Sequence, residues 1–118
     1  LYDGSLPLSY DDGAVESVIL SEVLEHLSDP EAVMGEVARI CKSQLLVTVP
    51  DLSGVPLNDK NGVVPWHLLE STHVNFFNPT SLELFLKTWF SSVELFRIGR
   101  TQTNDTQWWS GLMALARN

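Results

Sequence analysis

The chain has 118 residues, 44% of them hydrophobic, which is enough for one globular domain spanning 1–118 around a single core. Seven Lys and Arg against fifteen Asp and Glu leave a net charge of -8 and a pI near 4.6, which excludes the basic stripe that nucleic-acid binding rests on. The lone cysteine, Cys41, excludes an internal disulfide, and without a signal peptide or an 18-residue apolar run the expectation is a cytoplasmic protein with no membrane partner.

In chain order, Val15-Glu16-Ser17-Val18-Ile19-Leu20 reads as a short buried strand. Ser21-Glu22-Val23-Leu24-Glu25-His26-Leu27-Ser28-Asp29-Pro30 follows it directly. If that turn is helical, Glu22, Glu25 and His26, at i, i+3 and i+4, share one face. Ligands of open α/β sheets sit outside the carboxyl ends of the strands, so these groups stand where chemistry is usually done. Asp29-Pro30 starts a helix, with Asp29 as N-cap and Pro30 at the first helical position. Val33, Val37, Ile40 and Cys41 form its core stripe, Glu31, Arg39 and Lys42 complement its dipole, and it should end by about Ser43. Cys41 in that stripe is a buried thiol rather than a nucleophile.

Leu45 to Val49 is expected to be a strand buried on both faces and ended by Pro50. Residues 51–78 read as a long connection with a turn at Asn58-Asp59-Lys60-Asn61-Gly62, and loops of that length are usually functional or mobile. It carries Trp66, His67, His73, Phe76 and Phe77. A second helix begins at Asn78-Pro79, with Leu82, Phe85, Leu86 and Trp89 as its stripe. Val93 to Ile98 reads as a strand covered on both faces. A polar loop from Thr101 to Gln107 then leads to a last strand, Trp109 to Ala116.

The polar groups after the first strand have a bland reading and a sharp one. Charged residues on a short surface turn commonly cap it and face solvent. Two carboxylates and an imidazole also suit a divalent ion, with hard oxygens pointing to magnesium or manganese and the nitrogen permitting zinc. His67, between Trp66 and Leu68, reads as a packed, half-buried ring, and Trp108-Trp109 as core and edge packing rather than a substrate platform.

Several segments in order resemble class I S-adenosylmethionine-dependent methyltransferases, in the subgroup with Glu-Val-Leu-Glu-His-Leu and Asp-Pro after the fourth strand. Tyr2-Asp3-Gly4-Ser5-Leu6-Pro7-Leu8 is similar to that subgroup's Asp-Gly-x-x-Leu-Pro-Phe segment, and Asp12-Gly13-Ala14-Val15-Glu16-Ser17-Val18 to its Asp-x-Ser-Phe-Asp-x-Val. Leu45-Leu46-Val47-Thr48-Val49-Pro50-Asp51 resembles the fifth strand. His73-Val74-Asn75-Phe76-Phe77-Asn78-Pro79-Thr80-Ser81-Leu82 resembles His-x-x-x-Phe-x-Pro-x-Ser-Leu. The glycine-rich loop after the family's first strand and the acidic residue that holds the ribose have no counterpart in these residues.

The resemblance implies an α/β fold, the C-terminal part of a Rossmann-like methyltransferase sheet of about four strands with helices, the last strand antiparallel. It implies S-adenosylmethionine as cofactor, held by Asp3 and Gly4 on the adenine side and by Ser21 and Glu22 lining the cleft through backbone. Two branches of the family hold a divalent ion with Glu-x-x-Glu-His and a later histidine, which here would be Glu22, Glu25, His26 and His73. The implied reaction is methyl transfer to a small-molecule acceptor, with His26 or His73 as candidate base. The rival from another class is a non-catalytic interaction module derived from the same fold. Without a first strand beside it, strand 15–20 becomes an edge, and self-association through it is expected.

Overall fold

The computed structural model describes residues 5–118, so Asp3 and Gly4 lie outside the described residues. Four strands, β1 (Val15–Ser21), β2 (Cys41–Pro50), β3 (Ser92–Thr103) and β4 (Thr106–Arg117), form one sheet in the order β1-β2-β4-β3. β1 and β2 are parallel, and β4 runs antiparallel to both of its neighbours, as expected for an α/β sheet of this kind. Helices α1 (Pro30–Ile40), α2 (Val55–Lys60), α3 (Trp66–Leu69) and α4 (Pro79–Leu86) fill the connections.

Local sequence sets the helix starts. The Asp29 side chain accepts the Ala32 N–H at 2.9 Å, and Pro30, which has no N–H to satisfy, opens α1. At α4 the Asn78 side chain accepts from Ser81 N–H and the Ser81 hydroxyl accepts from Asn78 N–H, each at 2.9 Å, with Pro79 at the first position. Arg39 fixes the preceding chain to α1. Its guanidinium grips both Glu36 oxygens, the Asp12 carboxylate and the carbonyls of Leu8 and Tyr10. The Arg39 hydrogen bonds hold the Glu36 carboxyl below the usual range.

Helix α1 ends at Ile40, and Cys41 already belongs to β2. The helix runs straight into the strand because Cys41 pairs with Val15, and a register shift before Gln44 absorbs the extra residue as a bulge. Cys41 is buried as expected, though on a strand, and Lys42 lies 3.5 Å from Glu16 instead of closing a helix. The buried stripe of α1 is Met34, Val37 and Ile40, with Val33 half-buried. The connection 51–78 contains a 3-10 turn at Leu52–Gly54 and the helices α2 and α3. The polar loop expected at 101–107 shrinks to Asn104-Asp105, where Asn104 takes the left-handed φ of 51° that its side chain tolerates. β3 and β4 extend through the rest of it.

Of the two strands expected to be buried on both faces, β2 is buried on one, while β3 only half-buries Val93 and Leu95, and β1, expected to be buried, only half-buries Val18 and Leu20. Leu45, Val47 and Val49 of β2 and Leu112, Ala114 and Ala116 of β4 form the core with Met34, Val37, Leu82 and Leu86 from the helices. Leu46, Met113 and Leu115 point to the other face and are half-buried, while Ile19, Phe96 and Ile98 are exposed. A continuous apolar run reads the same whether or not a second layer covers it. β1 and β3 are the two edges of the sheet among the described residues.

Candidate functional site

β1 delivers the chain to the carboxyl end of the parallel pair. Ser21 sits beside Thr48 of β2, their hydroxyls 3.0 Å apart, and Glu22 then turns with φ of 53° while its N–H donates to the Thr48 carbonyl at 3.0 Å. A left-handed non-glycine residue is uncommon and marks a turn that the surroundings hold in place. Because of that turn, Glu22 is not on a helical face with Glu25 and His26. A 3-10 turn covers only Leu24–His26. Glu22 remains exposed at the mouth, and the solvent-facing reading fits Glu22 but fails for Glu25, which is 1% exposed.

The segment 72–75 is laid across that turn by hydrogen bonds. The Glu25 carbonyl accepts from Val74 N–H at 2.8 Å and Asn75 N–H at 3.0 Å, and the Asn75 amide donates to the carbonyls of Leu24 and Leu27. This brings His73 beside His26, with ring centroids 4.6 Å apart, edge to face. One ligand atom from each of Glu25, His26 and His73 lies within 4.8 Å of the others. Of the four residues expected to converge, three do, and Glu22 stays outside the group.

Each imidazole is oriented from behind. His73 Nδ1 lies 2.9 Å from the His67 carbonyl, so Nδ1 carries a proton, and in the neutral tautomer the lone pair is on Nε2. His26 Nδ1 faces the Thr72 carbonyl at 3.2 Å and the Thr72 hydroxyl at 3.0 Å, and that hydroxyl in turn donates to Glu70. The His26 lone pair is therefore also on Nε2, which stands 3.9 Å from Glu25 Oε1. The two hydrogen bonds from Thr72 lower the Glu70 carboxyl. Both Glu25 oxygens are buried without a hydrogen-bond partner, and burial raises the Glu25 carboxyl above its usual value, with exposed Glu22 adding to the rise. A buried carboxylate in that state calls for a proton or a cation.

His67 is buried rather than half-buried. Its carbonyl anchors His73, its Nε2 has no partner, and burial together with His73 lowers its pKa, which keeps the ring neutral. Sequence reasoning did not single out Thr72, Asn75 or Glu70, which orient the cluster, nor Asp51, a second buried carboxylate at the end of β2. Asp51 carried a signal, since an acidic residue directly after a strand-ending proline stands at the ligand end of the sheet. The other three could be found only through contacts between distant segments.

An α/β sheet with its polar groups gathered at the carboxyl ends of parallel strands is the architecture of class I methyltransferases. The sequence pattern of the methyltransferase domain matches residues 8–88, and the chain belongs to that family. The fold is similar to that of magnesium protoporphyrin IX methyltransferase from Synechocystis PCC 6803, solved with bound SAH. The two are 17% identical with a TM-score of 0.55, over 93% of this chain and 46% of that one. The chain thus spans less than half the length of that enzyme. No curated protein sequence matches it. Among the described residues, no helix is long and apolar enough to cross a membrane.

Proposed function

We propose that this chain forms the acceptor-side half of an S-adenosylmethionine-dependent methyltransferase acting on a small-molecule acceptor, with Glu25, His26 and His73 holding a divalent ion. The observation that carries the ion is Glu25, a buried carboxylate with both oxygens unpartnered and two imidazole lone pairs beside it. The donor set fits. One carboxylate and two nitrogens suit manganese, magnesium or zinc, and both rings have Nδ1 tied to backbone carbonyls in the way that second-shell partners orient metal-bound histidines.

When bound, the ion supplies a positive charge that lowers the pKa of an acceptor hydroxyl. The cofactor supplies the methyl group. Ser21 and Glu22 offer it the exposed backbone and hydroxyl at the end of β1, one wall of a cleft. What the chain's own residues contribute is placement of the acceptor near that wall, a term worth roughly 7 to 11 kcal/mol in well-oriented reactions. A second reading is favoured by the tautomers. Without an ion, Nε2 of His26 or His73 is free to take the acceptor's proton, worth roughly 10²- to 10⁴-fold in rate. The acidic balance of the chain supports a small molecule over nucleic acid.

The test is calorimetry with Mn²⁺, Zn²⁺ and Mg²⁺ on the wild-type chain and on Glu25→Gln, alongside transfer of labelled methyl from S-adenosylmethionine to a set of phenols with and without chelator. Saturable binding lost in Glu25→Gln and turnover lost on chelation support the ion. Turnover that survives chelation but not His73→Ala supports the base. Absence of transfer and of cofactor binding in the protein carrying this domain would leave the interaction module. The expected self-association through strand 15–20 is checked by light scattering on wild type against Ile19→Lys.

A further inference from the structure

The stretch from α3 to His73 orients both imidazoles of the cluster, and it does so with different groups. For His73 the orienting group is the His67 carbonyl, 2.9 Å from Nδ1. For His26 it is Thr72, which offers two oxygens to the same Nδ1: the backbone carbonyl at 3.2 Å and the hydroxyl at 3.0 Å. A carbonyl can only accept, whereas a hydroxyl can accept or donate. If the Thr72 hydroxyl gave its proton to His26 Nδ1, that nitrogen would have to carry the lone pair and Nε2 the proton. The nitrogen that stands 3.9 Å from Glu25 Oε1 would then be closed to a cation.

The carbonyl favours the first state and the hydroxyl permits the second. Glu70 decides between them. Its Oε1 accepts both the Thr72 N–H at 3.2 Å and the Thr72 hydroxyl at 3.0 Å. A carboxylate takes that proton in preference to a neutral imidazole nitrogen, because hydrogen bonds to a charged acceptor are the stronger ones. With its only hydrogen committed, the hydroxyl has nothing but lone pairs left for His26. The groups then form one directed chain, from His26 Nδ1–H to the Thr72 oxygen and from the Thr72 O–H to Glu70, in which each bond polarises the next. Glu70 and Thr72 are both exposed, so the chain runs from the cluster to the surface.

We propose that Glu70 is the positioning residue for His26: by holding the Thr72 hydroxyl proton it keeps the His26 lone pair on Nε2 and so keeps the cluster open to a cation. Its effect on the tautomer stands without an ion, and its effect on affinity rests on the ion reading of the cluster. The competing role is a plain cap, since Glu70 also closes the 70–73 turn. Its carbonyl accepts the His73 N–H at 3.1 Å, and its carboxylate the Thr72 N–H. A cap uses those N–H groups and is indifferent to the hydroxyl, which is where the two roles part.

The test reads the His26 tautomer from the ring nitrogen chemical shifts of chelator-treated protein at alkaline pH, and affinity by manganese calorimetry on the same samples. Glu70→Ala frees the hydroxyl. It should move His26 toward the Nε2–H form and weaken manganese binding about tenfold, the lower end of what loss of an outer partner costs, because the Thr72 carbonyl remains. Glu70→Gln keeps an oxygen for the hydroxyl and should hold His26 near the wild-type tautomer. The decisive sample combines Glu70→Ala with Thr72→Val, which leaves no hydroxyl to donate. His26 should return to Nδ1–H on the Thr72 carbonyl, and affinity should recover to within about threefold of wild type, the coupling expected of two residues that act through one hydrogen bond. Glu70→Met, of similar length and without an acceptor oxygen, repeats the test should the alanine variant fail to fold. An unchanged tautomer in Glu70→Ala, or a loss that persists in the double variant, overturns the proposal and leaves Glu70 a cap. A tautomer shift that the second substitution reverses supports it. If the wild-type chain then binds no manganese, only the ion is refuted, whereas manganese binding with an unchanged tautomer in Glu70→Ala refutes only the role of Glu70.

Discussion

Glu25 and Asp51 are both buried carboxylates at the carboxyl end of the sheet, and they are held in opposite ways. Asp51 has one oxygen on a backbone N–H and the other facing Arg97, so its charge is balanced and only a hydrogen bond is missing. Glu25 takes no hydrogen bond from another residue on either oxygen and has no Lys or Arg within ion-pair reach among the described residues. Its neighbours are the imidazoles of His26 and His73, each with a ligand atom within 4.8 Å. The difference teaches that burial alone does not define a site's chemistry. A balanced carboxylate can stay charged where it is, whereas an unbalanced one recruits a proton or a metal ion.

The strongest way to break this comparison is to remove the scaffold of one member. Leu24, 0% exposed, opens the turn that buries Glu25, and Leu24→Ala should cost about 2–5 kcal/mol by denaturant unfolding. Where the variant still folds, manganese binding should weaken, since the turn that presents Glu25 is loosened. Next comes the ion itself. Manganese at a hundred times its dissociation constant should stabilise the chain by about 2.7 kcal/mol, seen as a higher melting temperature. Asp51→Asn should keep this gain and Glu25→Gln should abolish it. The reverse pattern would mean that the two carboxylates have been assigned the wrong roles.

A smaller effect follows from protonation of Glu25 in chelator-treated protein. Its folded pKa lies above the ordinary 4.5 because burial disfavours the charge. Between 4.5 and that raised value the folded state binds more protons than the unfolded one, so stability falls as pH rises through this window and the penalty is complete above it. Glu25→Gln should therefore melt higher than wild type at pH near 7, and the advantage should vanish below about pH 4.5. Thermal melts across that range check the sign. Arg97→Ala gives the smallest change. The Arg97 side chain is half-exposed and 3.8 Å from its partner, so unfolding should register a loss of about 0–1 kcal/mol. A larger loss would show that Asp51 depends on Arg97 more than the geometry indicates.

Local chemistry in the sequence determined the punctuation of this protein. Asp29-Pro30 and Asn78-Pro79 start helices because a side-chain acceptor and a missing N–H solve the problem of the first turn within three residues, whatever else the chain does. The order of the motifs was enough to indicate the family and the end of the sheet where polar groups gather. Only the tertiary structure decided which of those groups act together. His26 and Thr72 are 46 residues apart, and it is their contact, with Glu25 taking Val74 and Asn75, that buries Glu25, admits His73 and leaves Glu22 in solvent. The helical spacing expected for Glu22 gave way to a left-handed turn held by Thr48 of the next strand. A cleft lined by Trp66, His67, Thr101 and Trp108 likewise gathers separate stretches of chain, and no periodicity within one stretch encodes it. Caps and apolar stripes are written in neighbouring residues, whereas burial and convergence depend on which distant surfaces exclude water together.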